Sequence, residues 1–241
     1  MIKEALEYLV GLKPNKTYEI EGRVYSDRPL HLVSEGKDYR KGVEFHSLDG
    51  IVQMIRSEIG DYPASGSPAL FIRIQDHKTV DVFTRPDERE KRVYPYEASC
   101  VDATFKEGWR GHDEAIIELK SRFIPTVDSD YLLDLISRIN ADQGVKTEHN
   151  GVSQTVTTKQ GVSLAATEAV KPRVLLKPFR TFREIVQPES EFILRIDDNM
   201  RVGLFEADGG IWKMEAKDSI KEYFENELSD LINAGTVVVI V

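Results

Sequence analysis

The fold class is decided by residues 218–241, which read DSIKEYFENELSDLINAGTVVVIV. Ser219 followed by Glu222 matches a capping box, which predicts that a helix begins there. The apolar residues at helical spacing after this start are Ile220, Phe224, Leu228, Leu231 and Ile232. Gly235 ends the helical pattern, and residues 236–241 form a β-branched run that predicts a strand. Because such a run is an aggregation hazard at an exposed edge, we expect it to be internal or paired across a subunit boundary.

The rest of the chain mixes helices and strands without a repeating βαβ unit. Apolar spacing predicts helices over residues 2–10, 48–59, 112–123 and 129–140. Alternating patterns predict strands over residues 17–25, 30–32, 69–75, 79–84, 93–105, 173–176, 190–196, 201–206 and 211–215. The first two strands are expected to turn at residues 26–29, and the last two at residues 207–210. We therefore predict an α+β fold of antiparallel sheets with packed helices and an extended β-arm.

The composition changes at about residue 145, where a β-rich region begins. This predicts an N-terminal α+β region, residues 1–145, and a C-terminal region, residues 146–241, that contains the arm and the final helix and strand. The strands at 17–25, 69–75 and 79–84 are expected to share one antiparallel sheet. No flexible linker divides the two regions, so a single intertwined domain is the alternative.

The predicted arm, residues 150–168, is rich in Thr, Ser and Val and alternates as a strand does. Thr and Ser bury little apolar area, so this segment is expected to pair with strands of its own or a neighbouring subunit. Its candidate contact residues are Val152, Thr155, Val156, Thr157, Val162 and Leu164. The alternative is an ordinary solvent-facing hairpin that turns at residues 159–161.

The overall charge disfavours a nucleic-acid coat protein. The 241 residues include 32 basic and 41 acidic side chains, a net charge of −9, which repels phosphate unless a local patch overrides it. The single cysteine excludes an intrachain disulfide, and residues 1–10 lack the features of a signal peptide. A reducing cytoplasm is therefore the expected location. No membrane-spanning helix is expected, because no apolar stretch approaches the roughly 18 residues that it needs.

The common catalytic, cofactor and zinc motifs do not occur in the sequence. The nearest approach to a metal cluster is His112-Asp113-Glu114 at a helix start, where the helix dipole already accounts for the acids. Cys100 is more typical of a small buried side chain than of a nucleophile. We predict no catalytic residue, cofactor or metal, and a metal-dependent hydrolase that uses His112 and Asp113 is kept as an alternative.

The most distinctive charged stretch is residues 171–183, in which bases alternate with rings and no acid occurs. Single-stranded nucleic acid or a nucleotide would use cations for phosphate and rings for stacking. The candidate contacts are Lys171, Arg173, Lys177, Phe179, Arg180, Phe182 and Arg183. The structural alternative places the two phenylalanines in the core and pairs the arginines with Glu184, Glu189, Glu191 or another subunit. Trp109 is likewise expected to be a packed anchor rather than a stacking ring.

Three segments, residues 172–174 (PRV), 178–184 (PFRTFRE) and 187–192 (QPESEF), resemble the YfdQ-like family of phage and prophage proteins of unknown function. The likeness is strongest over residues 149–196, and residues 39–42 (YRKG) and Trp109 are similar to further landmarks of that family. The resemblance implies a phage accessory protein made in the bacterial cytoplasm. It implies no catalytic residue.

These observations together favour a non-enzymatic phage or prophage accessory protein that assembles into a homo-oligomer, such as a ring or shell, in the host bacterial cytoplasm. The arm is the expected contact between subunits. The first alternative is a binding module for single-stranded nucleic acid or a nucleotide, centred on residues 171–183. The second is the metal-dependent hydrolase. No membrane partner is expected.

Overall fold

A computed structural model describes residues 2–3, 17–20, 23–26, 42–61, 68–86, 92–101, 105–138, 145–149, 154–159 and 165–241. The chain divides into two compact units, residues 1–40 and residues 41–241. In the first unit, strand β1 (Thr17–Ile20) pairs antiparallel with β2 (Arg23–Ser26) in a two-stranded sheet. The prediction of one strand over residues 17–25 that turns at 26–29 and joins a larger sheet is therefore wrong.

The second unit contains the remaining elements. Its strands are β3 (Val43–Phe45), β4 (Leu70–Ile74), β5 (Thr79–Thr84), β6 (Tyr96–Ser99), β7 (Gly108–Arg110), β8 (Phe123–Ile124), β9 (Val145–His149), β10 (Gln154–Lys159), β11 (Ala165–Val170), β12 (Arg173–Pro178), β13 (Ser190–Ile196), β14 (Val202–Glu206) and β15 (Val237–Ile240). Its helices are α1 (Leu48–Glu58), α2 (His112–Arg122), α3 (Val127–Arg138), α4 (Trp212–Glu227) and α5 (Ser229–Asn233), and a 3-10 turn at Ile59–Asp61 follows α1. Most of the predicted helix 2–10 and the strand 30–32 lie outside the described residues.

Five strands form sheet 1 in the order β15-β4-β5-β6-β3. The outer pairs, β15 with β4 and β3 with β6, are parallel, and the inner pairs are antiparallel. Alternation along β4 buries Leu70, Ile72 and Ile74 on one face. Helices α1 and α4 pack on that face through fully buried residues, namely Leu48, Ile51, Ile55, Ile220 and Phe224, and Leu228 joins them directly after α4.

Another five strands form sheet 2 in the order β7-β14-β13-β12-β8, and all of its pairs are antiparallel. Along β13, Phe192, Leu194 and Ile196 are buried. They share a core with residues of α2 and α3, namely Ala115, Leu119, Leu132, Leu135 and Ile136. Each of these sheets combines strands from before and after residue 145, so residues 41–145 and 146–241 share both cores.

A third sheet of three antiparallel strands has the order β11-β10-β9. It is attached to sheet 2 at one end, where Val170 belongs to the second core. Gln154 lies beside Val170 in the register and is buried, and its side chain bonds both backbone groups of Ile196, accepting from the N–H at 3.0 Å. The side-chain amide of Gln154 therefore links β10 to strand β13 of sheet 2.

The capping residues explain where the helices begin. The Ser47 hydroxyl accepts a hydrogen bond from the N–H of Gly50 at 3.2 Å and starts α1. Thr126 and Ser129 bond each other reciprocally at 2.7 and 3.1 Å and start α3. The predicted helices over 48–59, 112–123 and 129–140 are confirmed, with ends displaced by one or two residues.

Two predictions near the C-terminus are wrong. Residues 211–215 do not form a strand that pairs with 201–206, because α4 begins at Trp212. Ser219 lies inside this helix rather than at its start. The buried residues Trp212, Ala216, Ile220 and Phe224 recur every four positions, so the apolar stripe of α4 extends two turns N-terminal to the apparent capping box.

The architecture of helices and predominantly antiparallel sheets confirms the predicted α+β class. In the part of the chain that the structure describes, no helix is both long enough and apolar enough to span a bilayer.

Candidate functional site

Strand β15 forms one edge of sheet 1. The carbonyl oxygen of Thr236 accepts bonds from the N–H groups of Ala69 and Leu70, at 2.8 and 3.2 Å. Backbone groups of successive strand residues point to alternate sides, so Val238 and Ile240 face β4, whereas Val237 and Val239 face outward. Among the described residues, no strand pairs with this outward side.

The composition of β15 gives that edge no protection. Its sequence is VVVI, with no charge and no proline, and both Ile240 and Val241 are exposed. Natural proteins blunt exposed edges with charged residues, prolines or very short strands. The sequence allows this strand to be either internal or paired across a subunit boundary. In the part of the chain that the structure describes it is not internal, because β15 ends its sheet.

The arm residues occupy a sheet of their own. Thr155, Val156 and Thr157 lie on β10, which pairs with β9 on one side and β11 on the other. Val152, Val162 and Leu164 lie outside the described residues. Because β10 finds both partners in its own chain, only the outer edges of β9 and β11 are left for a neighbouring subunit.

The basic–aromatic segment is split among several environments. The Lys171 ammonium lies 2.8 Å from Asp128, Arg173 pairs with Glu191, and Lys177 lies 3.9 Å from Glu189. The hydrogen bond to Asp128 raises the pKa of Lys171. Burial alone would raise the pKa of Asp128, but the hydrogen bonds from Lys171 and from the N–H of Leu175 bring that pKa below its ordinary value.

The aromatic residues of the segment also separate. Phe182 is buried in the first core, whereas Phe179 is half-buried beneath the guanidinium of Arg183, 5.4 Å from the ring centroid. Phe179, Phe182 and the cations therefore do not form one continuous binding strip.

Arg180 is the most deeply buried charged residue that the structure describes. Its guanidinium donates to Glu206 at 2.9 Å and to the hydroxyl of Ser190, which in turn donates to Asp208 at 2.8 Å. It also stacks on Trp212, 3.8 Å from the ring centroid. Burial lowers the pKa of Arg180, and the neighbouring Glu206 opposes this effect.

The loop that carries Arg180 joins the two cores. The hydroxyl of Thr181 donates to the carbonyl oxygen of His77, in the turn between β4 and β5. Phe182 and Ile185 enter the first core, and the carboxylate of Glu184 accepts the N–H of Leu48 at 2.7 Å. Glu184 therefore caps the N-terminus of α1 although it lies 136 residues further along the chain. The structure accounts for the distinctive residues 178–187 as a clamp between sheets 1 and 2.

His77 lies where this clamp meets sheet 1. Its imidazole packs edge-on against Trp212, with 4.6 Å between the ring centroids. Burial lowers the pKa of His77, and Lys78, Lys213 and Arg180 lower it further, whereas Asp76 acts in the opposite direction. The ring is therefore held neutral near physiological pH.

The candidate metal ligands are used within the chain. Nδ1 of His112 lies 2.9 Å from the carboxylate of Asp113, and Nε2 lies 3.0 Å from the carbonyl oxygen of Ile136. No cluster of three or more potential ligands occurs among the described residues. Cys100 is partly buried against the first core.

An open groove of about 310 Å³ lies along α2. Its floor is Glu118, which is buried and contacts Arg110 at 2.8 Å and Arg122 at 3.3 Å. The two arginines that line the groove are thus paired with the same carboxylate within the chain.

The outer face of sheet 2 brings together residues that the sequence analysis does not group. The register places Trp109, Phe205 and Ile193 on the side opposite the second core. Trp109 and Phe205 lie 96 residues apart, so spacing along the chain carries no signal of their contact. Only strand pairing brings them together.

Comparison with protein-family models, with curated proteins and with solved structures finds no match to this chain. The resemblance to the YfdQ-like family therefore stays a prediction. The function must be argued from the surfaces described above.

Proposed function

We propose that the protein functions by self-association, with the free edge of β15 as a principal contact between subunits. The observation that carries this proposal is the bare β-branched edge, Val237–Ile240, at the end of sheet 1. Strand addition by a second copy would satisfy the outward backbone groups of Val237 and Val239 and cover apolar side chains at the same time.

A larger assembly needs a second contact. Two copies that join β15 to β15 about a two-fold axis close as a dimer, because an isologous contact uses the same surface on both subunits. A ring or shell requires another surface, and the outer edges of β9 and β11 are available for it. The arm thus keeps a role in the proposal, as the contact that extends the assembly beyond the dimer.

The β15 contact is tested with Ile240→Lys, which places a charge on the edge at a position already 37% exposed. The matched control is Ile240→Thr, which keeps a β-branched residue without adding charge. Sedimentation velocity over a range of concentrations should show the wild-type chain and the control as oligomers, and the Lys variant as a smaller species.

The arm contact is tested by replacing residues 157–167 with Asn-Gly, which keeps Gln154 and Val170 and supplies a two-residue turn. This variant should stop at a dimer, and its combination with Ile240→Lys should be a monomer. A wild-type chain that sediments as a monomer at every concentration would overturn the proposal.

A further inference from the structure

The outer face of sheet 2 carries side chains of two kinds in neighbouring rows. Cross-strand pairing puts Trp109, Gly203 and Arg195 in one row. The next row contains Phe205, Ile193 and Arg173. The rings thus lie on the adjacent strands β7 and β14, and the arginines lie on the adjacent strands β13 and β12.

Gly203 allows the rings of Trp109 and Phe205 to lie close to the backbone of β14. A Cβ at Gly203 would lie 2.8 Å from the ring of Phe205 and 3.0 Å from that of Trp109, so both rings lie close over the backbone at this point. The two rings meet edge to face, with 5.8 Å between their centroids. Trp109 nevertheless stays 40% exposed, and the guanidinium of Arg201 lies 5.6 Å from its ring centroid.

The spacing between rings and arginines suits a nucleotide unit. Strands two apart are separated by roughly 10 Å, and the arginine side chain spans most of that distance. A base that stacks on Trp109 or Phe205 would therefore place its phosphate within reach of Arg195 or Arg173. The Arg173 side chain is 59% exposed in its pair with Glu191, and exposed ion pairs are weak, so a phosphate can replace the carboxylate.

We propose that this outer face of sheet 2 binds single-stranded nucleic acid, with bases on Trp109 and Phe205 and phosphates at Arg173 and Arg195. Trp109 is 40% exposed and Phe205 is partly buried beside it. An exposed ring on a sheet surface stacks on unpaired bases, whereas the bases of a duplex are already stacked on each other. The arginines beside the rings have partners within the chain: Arg173 pairs with Glu191, Arg201 pairs with Asp197, and Arg195 donates to the carbonyl oxygen of Leu194. The two ion pairs are exposed, so a phosphate can compete there with the carboxylate. This site is separate from the β15 edge and does not depend on self-association.

The probe is a fluorescein-labelled oligothymidylate of about 20 nucleotides, used with the full chain at low salt. The chain has two tryptophans, and Trp212 is buried, so quenching of tryptophan fluorescence by the probe reports mainly on Trp109. Anisotropy should rise on binding, and the logarithm of the affinity should fall with the logarithm of the salt concentration, with a slope of about −0.7 for each phosphate contacted.

The decisive variant is Arg173→Gln with Arg195→Gln, which leaves the rings and the fold in place. We expect it to bind at least about tenfold more weakly and with a shallower salt slope. The matched control, Arg56→Gln with Arg138→Gln, removes the same charge from α1 and α3 and should bind as the wild type does. Trp109→Ala should abolish the quenching.

Several results would overturn the proposal. They are no binding at low salt, equal affinity of the decisive and control variants, and equal affinity for a duplex of the same length. Quenching that grows with protein concentration without the probe would identify the face as a contact between copies instead, and would also overturn it. Loss of self-association in Ile240→Lys has no bearing on these outcomes, so the two proposals fail independently.

Discussion

Sheets 1 and 2 are built alike, but sheet 1 exposes an edge strand and sheet 2 exposes aromatic side chains on its outer face. Each has five strands and is covered by two helices on one face. Sheet 2 ends in the short strands β7 and β8, of three and two residues, whereas one end of sheet 1 is the bare strand β15. Very short edge strands are a protection against pairing. Both ends of sheet 2 and the β3 end of sheet 1, which has three residues, are blunted in this way, whereas the β15 end of sheet 1 is longer and uncharged.

The two sheet faces that no helix covers differ in how exposed their aromatic rings are. On sheet 1, Arg92 lies over both Phe71 and Phe83, at 6.0 and 5.1 Å from the ring centroids. Arg73 forms a hydrogen-bonded pair with Asp81, which is only 4% exposed. This face is occupied by its own side chains. On sheet 2, Arg201 lies 5.6 Å from the ring centroid of Trp109, but that tryptophan stays 40% exposed. The two proposals therefore use the edge of sheet 1 and the outer face of sheet 2.

The largest effect is expected at the clamp that joins the two sheets. Arg180→Met would remove the buried cation and leave Glu206 and Asp208 without its charge, at a cost of about 3–5 kcal/mol of unfolding free energy. The control Arg173→Met removes an exposed cation and should cost less than about 1 kcal/mol. Urea unfolding followed by circular dichroism measures both.

The same experiment asks whether the sheets unfold together. In the wild type, tryptophan fluorescence and circular dichroism should report one transition, because the clamp couples the two cores. In Arg180→Met, separate transitions for the two signals are expected. Equal losses in the Arg180 and Arg173 variants would contradict the clamp.

An intermediate effect is expected from Gly203→Ala, which acts on sheet 2 alone. The added methyl group would press on Trp109 and Phe205 and cost about 1–3 kcal/mol. Gly60→Ala is the control, because nothing lies within 4 Å of a Cβ there and the change should not destabilise the chain. Thermal unfolding compares them, and the absence of a difference would show that the rings are not seated on this glycine.

The smallest effect is expected from protonation of His77, which lies in the turn between β4 and β5 and contacts Trp212 at the start of α4. Its pKa is lower in the folded protein, so below about pH 6.5 the unfolded chain binds the proton more readily and stability falls. His77→Gln should lose less stability than the wild type between about pH 8 and pH 5.5 in urea titrations. An identical pH profile for both chains would refute the burial of His77 as the source of this dependence.

The elements with strong periodic patterns could be predicted from the sequence, and those set by pairing could not. Helix α1 follows from its apolar spacing and Ser47, and the α+β class follows from the order of elements. The capping pattern at Ser219 predicts the start of α4 wrongly, because the apolar residues of this helix already begin at Trp212. For Arg180 the sequence allows either a phosphate contact or a pair with Glu184, Glu189 or Glu191, and the structure pairs it with Glu206 instead. Nothing local indicates that a cation will be buried beside a carboxylate on the separate strand β14.

The sequence by itself determined the periodicities, the β-branched character of residues 237–240 and the absence of the common catalytic motifs. Only the tertiary structure decided that β15 is an edge strand, that β10 pairs within its own chain, and that Trp109 lies beside Phe205. The physical reason is that side-chain periodicity is a local property of the backbone. Strand order and register, by contrast, depend on hydrogen bonds and packing between segments far apart in the chain, which no local pattern encodes.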